Sequence, residues 1–216
     1  MNIPLEQYRQ AADYIRAHLT GQPEVCLVLG SGLGRLADEV EDAVRIPYAD
    51  IPGFPRSTVA SHAGMMLCGR LCGREVIVMA GRFHYYEGYA MEDVVLPTRV
   101  MAALGAQRLV LTNAAGGIGP DLAPGDLMLL TDHIASFVPS PLIGPNEEAF
   151  GPRFPDMTAV YLPPAAGEGP GRGGETEHPS KAGGLLADHR SPVRDPGGDP
   201  YVRRPGGQRR GHEHRL

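Results

Sequence analysis

Four short clusters in this chain combine residue types and spacings that could hold a small anion beside an organic ligand. Gly81-Arg82-Phe83-His84-Tyr85-Tyr86-Glu87-Gly88-Tyr89 offers an arginine fork and an imidazole two positions apart. On extended backbone, positions i and i+2 share a face, so Arg82 and His84 can address one oxyanion together. Gly30-Ser31-Gly32-Leu33-Gly34 brings backbone N–H groups and the Ser31 hydroxyl, donors suited to an anion, although the same run also suits a plain strand-to-helix turn. Thr112-Asn113-Ala114-Ala115-Gly116-Gly117 is small enough either to admit a ligand or to pack a helix closely on a strand. Ser57-Thr58-Val59-Ala60-Ser61-His62-Ala63-Gly64 is a polar, Gly-ended loop with one histidine, and by itself reads as a surface turn.

Chemistry of this kind needs rigid elements to aim it, and the hydrophobic pattern supplies them. Leu5, Tyr8, Ala12, Ile15 and Leu19 recur at helical spacing, and Gly21-Gln22-Pro23 ends that helix. Val25–Leu29 is an unbroken apolar run, which predicts a buried strand opening into the first glycine cluster. A helix-like stretch then extends to about Glu41. Met65–Cys72 and Glu75–Ala80 flank Gly73-Arg74 and predict a hairpin whose second strand runs into the Arg82 cluster. Glu92–Leu104 predicts a helix that Pro97 must kink or delay. Arg108–Thr112 predicts another buried strand, and Leu127–Thr131 a further one. The rhythm is that of an α/β sheet, in which ligands gather where strand C-termini open into loops.

Composition narrows the partners. The net charge of −5 and pI of about 5.9 argue against nucleic acid and anionic membrane surfaces. No apolar leader and no membrane-length run is visible, and three cysteines (Cys26, Cys68, Cys72) suit free thiols in a reducing cytoplasm. The glycine run lacks the spacing of a dinucleotide fingerprint, and no acidic residue closes a clear second strand, so a dinucleotide-binding domain is the poorer reading.

The order and wording of the four clusters resemble the purine nucleoside phosphorylase family, in its trimeric, 6-oxopurine-preferring branch. The likeness runs from the first helix through Gly144-Pro145-Asn146-Glu147-Glu148-Ala149-Phe150-Gly151-Pro152-Arg153-Phe154-Pro155-Asp156-Met157. The resemblance implies a phosphorylase-type mixed central sheet flanked by helices, with the C-terminal part missing. It implies phosphate binding by Ser31, Arg82, His84 and the Ala114 N–H, with His84 the catalytic group. His62, Tyr86, Asn113 and Phe150 would contact substrate, Phe150 by reaching into a neighbouring subunit of a homotrimer. The implied reaction is phosphorolysis of purine (deoxy)nucleosides, with inorganic phosphate as co-substrate and no metal or organic cofactor. The alternatives are a methylthioadenosine phosphorylase-like enzyme, from which the Gly-Arg-Phe-His segment usually differs, and a non-catalytic phosphate-binding remnant.

The last 55 residues break the pattern. Residues 1–161 read as the N-terminal three-fifths of such a domain, whereas 162–216 hold 12 Gly, 8 Pro and a single aromatic, Tyr201, with no Ile, Phe or Met. So little apolar surface cannot offset chain entropy, and the tail reads as disordered. The family's later signatures are a Gly-Pro-x-Tyr/Phe-Glu segment that binds base, a Val-Gly-Met-Ser-Thr segment that binds phosphate, and a Thr-Asn segment whose Asn binds purine. None is present. Read one base later, however, the codons for Arg210-Gly211-His212-Glu213-His214-Arg215 can spell Val-Gly-Met-Ser-Thr-Val. The same shift from His189 to Asp199 can spell Thr-Gly-Pro-Pro-Tyr-Glu-Thr-Pro-Ala-Glu-Ile. Each shifted codon admits only a handful of residues, so two such agreements point to an out-of-frame tail beginning soon after Tyr161. His212-Glu213-His214 is then an accident of codon phase and not a metal site.

Overall fold

The computed structural model describes residues 3–56, 64–118, 122–135, 138–158, 160–161 and 181–186. They divide into two compact units. The first comprises Met1–Ala114 with Pro139–Arg153, and the second Ala115–Val138 with Phe154–Leu216.

The first unit is built on a five-stranded mixed sheet. Its elements are helix α1 (Leu5–Arg16), strands β1 (Val25–Leu29), β2 (Glu41–Pro47), β3 (Met65–Leu71) and β4 (Arg74–Ala80), helix α2 (Met91–Ala103) and strand β5 (Arg108–Leu111). The sheet order is β2-β3-β4-β1-β5. β2, β3 and β4 form an antiparallel meander, while β1 lies parallel to both β4 and β5. The β3–β4 hairpin turns on Cys72-Gly73, one residue earlier than the sequence suggests. Both residues have positive φ, 50° and 73°, as a tight two-residue turn between right-twisted strands requires.

Alternation along the strands sorts the core into two layers. Cys26, Val28, Met66, Cys68, Ile77 and Met79 face α1 and α2, where they meet Tyr8, Ala11, Ala12, Ile15, Leu96, Val100 and Met101. Leu29, Leu67, Val76, Val78 and Ala80 face the other way, onto Ala37 and Val40 from a short 3₁₀ segment, Gly34–Glu39, and the residue after it. That segment replaces the longer helix-like stretch anticipated before Glu41. Pro97 neither delays nor ends α2: the helix begins at Met91 and carries the proline, buried, in its middle.

Arg108–Thr112 departs from expectation in a more telling way. β5 is a strand, but not a buried one: Leu109, Val110 and Leu111 are 42%, 45% and 60% exposed. An apolar run does not say how many neighbours a strand has, and among the described residues β5 is the last strand of its sheet, paired on one side only. The opposite edge, β2, carries a bulge between Glu41 and Val44 and charged Asp42 and Arg45, a blunted edge of the kind that discourages further pairing.

The second unit contains strand β6 (Met128–Ile134), running parallel to β7 (Lys181–Leu186). β7 is the described part of the 162–216 tail. His133 and Tyr161 meet within this unit, ring edge to face, with the Tyr161 hydroxyl 3.0 Å from His133 Nδ1.

Candidate functional site

The parallel trio β4-β1-β5 sets the site. In register, Leu29 lies beside Ala80 and Val28 beside Leu111, so the three strands end at the same rim of the sheet. The chain leaves that rim as Gly30-Ser31, Gly81-Arg82 and Thr112-Asn113-Ala114. Three of the four clusters noticed in the sequence are thus neighbours because their strands are. The fourth, with His62, lies outside the described residues.

Thr112 ties the rim together. Its Oγ1 accepts from the Gly30 N–H at 2.8 Å and donates to the Val28 carbonyl at 3.0 Å, and its carbonyl accepts from Arg82 Nη1 at 3.3 Å. Gly30 is required by this closeness: a Cβ there would sit 2.4 Å from the Thr112 carbonyl oxygen. With the strand ends clasped, Ser31, Asn113 and Ala114 follow as exposed residues at the same edge, and the Asn113 amide donates to the Ala114 carbonyl at 3.4 Å.

The Arg82–Glu87 segment forms one polar chain. His84 Nδ1 is 2.7 Å from Glu87 Oε1, and the His84 N–H donates to the same oxygen at 2.9 Å. A carboxylate can only accept, so Nδ1 carries the proton. Arg82 Nε, which can only donate, points at His84 Nε2 from 3.3 Å, leaving Nε2 as the acceptor. The imidazole is therefore fixed as the Nδ1–H tautomer, its second nitrogen beside the guanidinium. Tyr86 stacks on the His84 ring at 4.6 Å and 26°. Burial draws the Arg82 pKa below its ordinary value, opposed by Tyr86. Partial burial and the Glu87 carboxylate push the Tyr86 phenol upward against the pull of Arg82. What results is a partly desolvated guanidinium fixed on a sheet rim by His84 and Thr112, an arrangement that suits an oxyanion better than a cation or an apolar ligand.

Phe150 stands elsewhere in the same unit. Its ring meets Tyr8 of α1 edge-on at 4.8 Å and lies under the Arg99 guanidinium of α2 at 5.0 Å. The structure therefore brings Arg82, His84 and Tyr86 into direct contact, adds Ser31, Asn113 and Ala114 through the Thr112 clasp, and keeps Phe150 on the helices.

Sequence reading gave no role to Thr112 or Glu87. The signal for Glu87 was present as the His84-to-Glu87 spacing, which closes a reciprocal cap on the 3₁₀ turn Tyr85–Glu87. The signal for Thr112 was a β-branched hydroxyl at a strand end, too common to stand out.

Comparison with known proteins gives the family. The sequence pattern of the Phosphorylase superfamily matches residues 24–168. Purine nucleoside phosphorylase 1 of Geobacillus stearothermophilus is 55% identical over 152 residues, covering 70% of this chain and 56% of its own length. A crystal structure of isoform 2 of purine nucleoside phosphorylase from Schistosoma mansoni, in complex with cytosine and ribose-1-phosphate, is 43% identical with a TM-score of 0.66, over 73% of this chain and 56% of that one. A schistosoma purine nucleoside phosphorylase in complex with hypoxanthine is 37% identical with a TM-score of 0.75, over 90% of this chain and 70% of the other. The chain spans about half the length of the curated relatives it matches. Strand-end donors, mixed sheet and sequence likeness converge: the chain belongs to the phosphorylase superfamily, among its purine nucleoside phosphorylases.

Proposed function

We propose that the site binds inorganic phosphate and that the gene's product serves reversible phosphorolysis of purine (deoxy)nucleosides. The observation that carries this reading is the Arg82–His84–Glu87 chain clasped to the β1 and β5 ends. In the reaction, a phosphate oxygen forms a bond to C1′ as the bond from C1′ to the purine nitrogen breaks. The ribosyl carbon passes through an oxocarbenium-like state, and the departing purine takes the bonding electrons and then a proton. The protein's task is to place the anion and to stabilise charge. Arg82 supplies the fork, while Ser31 and the Ala114 N–H supply neutral donors. His84 takes a proton at Nε2 to donate to the anion, and Glu87 stabilises the imidazolium so formed. Tyr86, Asn113 and His62 contact the nucleoside. No cofactor beyond phosphate enters this scheme.

The assembly we assign is a homotrimer in which Phe150 serves a neighbour's ribose. Its seat on α1 and α2, with 37% of its surface exposed, supports this. The cytoplasm is the compartment that suits three free thiols. Residues 162–216 we read as out of frame, on the codon correspondence at His189–Asp199 and Arg210–Arg215. The base-binding Glu and Asn and the second phosphate Ser are then replaced by unrelated residues. Losing one such electrostatic partner costs roughly 100- to 1,000-fold in rate, so the 216-residue chain retains the anion grip and loses most turnover.

Calorimetry on the purified 23.1 kDa chain tests the reading. Phosphate should bind and inosine should be turned over slowly if at all. Absence of phosphate binding overturns the site, and phosphorolysis at the rate of its relatives overturns the impairment. Sequencing genomic DNA across the Tyr161 codon decides the frame.

A further inference from the structure

Between the site and the helices lies an aromatic floor that the functional reading does not use. Tyr48 is 1% exposed and sits just after β2, in the 3₁₀ turn Tyr48–Asp50. Its ring lies 5.2 Å from Phe83 and 5.9 Å from Phe54, and Phe83 in turn meets Tyr89 at 5.9 Å. Its hydroxyl donates to the Gly81 carbonyl at 2.7 Å, within the core. Its own N–H donates to the Gly64 carbonyl at 2.9 Å. Burial pushes the phenol far above its ordinary range, so the hydroxyl stays a donor at every working pH.

The contacts fall on alternate residues of the segment that leaves β4, where Gly81 and Phe83 are buried and Arg82 and His84 only half-buried. The Gly81 carbonyl is held by the hydrogen bond and the Phe83 ring by packing, with Phe83 3% exposed. Arg82 and His84, the residues between and after, are the ones left at the rim. A single side chain thus fixes both the position of the segment and which of its faces is presented. Without that hydrogen bond the Gly81 carbonyl would be left buried and lacking its Tyr48 donor.

We propose that Tyr48 is the positioning residue for the Arg82–His84 pair, acting through the Gly81 carbonyl and the Phe83 ring. The proposal rests on the phosphate reading above for its functional meaning, though not for its structural content. Tyr48→Phe removes the hydroxyl and keeps the ring. Ile15→Val, a core change on α1 at a fully buried position, serves as the control for general loss of stability. Two measurements are made on each full chain: amide hydrogen exchange at Arg82–His84, and calorimetric titration with inorganic phosphate.

Tyr48→Phe should speed exchange at these amides and weaken phosphate binding, each by about tenfold, since displacements well under 1 Å misalign a multi-donor site. Ile15→Val should change neither locally, although its melting temperature falls by a similar amount. Equal exchange and equal affinity in Tyr48→Phe and wild type overturn the proposal, as do equal losses in the Ile15→Val control. If wild type itself fails to bind phosphate, the anion reading falls, while the exchange data still decide whether Tyr48 holds the segment. Phe54→Leu, which thins the aromatic floor and leaves the hydroxyl in place, carries the same exchange test should Tyr48→Phe not fold, with faster exchange at 82–84 expected and unchanged exchange contradicting it.

Discussion

Gly30→Ala should disable anion binding without touching any residue that contacts the anion. The new methyl would lie 2.4 Å from the Thr112 carbonyl oxygen and 3.0 Å from the Asn113 Cα, all backbone atoms, whereas ordinary contact begins near 3.4 Å. Relief requires β1 and β5 to part at their ends by about 1 Å, and overpacking of this kind costs about 1–3 kcal/mol. Parting also breaks the 2.8 Å bond from the Gly30 N–H to Thr112 Oγ1, worth about 1 kcal/mol more. A total of about 2–4 kcal/mol is a large share of the stability of an ordinary domain. Geometry suffers independently of stability. Ser31 moves with β1 and Ala114 with β5, and a 1 Å error in a positioned site can cost about 100-fold. The assay is urea denaturation followed by phosphate titration under conditions where the variant remains folded. A variant with wild-type midpoint and wild-type phosphate affinity would refute both the close-approach argument and the assignment of the strand ends as the site.

Three further outcomes follow from other parts of the molecule. Glu87→Gln keeps an acceptor for His84 Nδ1 but removes the charge that supports an imidazolium, so phosphate affinity should fall about tenfold by calorimetry; an unchanged affinity would show that His84 stays neutral when the anion binds. Leu111→Lys, at a side chain 60% exposed on the unpaired edge, should raise the soluble fraction and the concentration at which light scattering appears, with stability altered by no more than about 0.5 kcal/mol; equal aggregation would mean that β5 is not the sticky edge. Cys26 and Cys68 have thiols raised by burial from 9.0 to about 12. Folding therefore favours the protonated thiols, a contribution fully present below pH 9 and lost as pH rises toward 12. A Cys26→Ala/Cys68→Ala variant should show a shallower loss of stability across that window, and an unchanged slope would remove the thiols from the account.

How legible this molecule is in its sequence depends on the range of the interaction concerned. Local patterns carried well: the apolar run Val25–Leu29 and the hairpin before Gly81 became the expected elements to within a residue, and the helical spacing from Leu5 onward became α1, which ends at Arg16, short of the Gly21-Gln22-Pro23 stop. So did the alternation that puts Arg82 and His84 on one side of an extended segment. The limits lie where one element needs another. The pattern of Arg108–Thr112 matches a buried strand, but burial depends on a neighbour, and among the described residues β5 has one on a single side. Pro97 argues against a helix locally, yet packing of α2 on the sheet outweighs one missing hydrogen bond. Tyr48 looks like any core aromatic until Gly81 is brought to it from 33 positions away. Thr112 likewise acquires its role only when β5 is laid beside β1.

The order in which the rim is encoded has its own consequence. Every donor that Thr112 gathers comes from the first 114 residues, within one compact unit. Parallel neighbours close slowly because their chain connections are long, but a nascent polypeptide has this whole unit's first stretch in hand while the ribosome is still decoding the remainder. The clasp that Thr112 makes is thus written wholly into the first-made stretch of the chain, whatever residues are decoded after it.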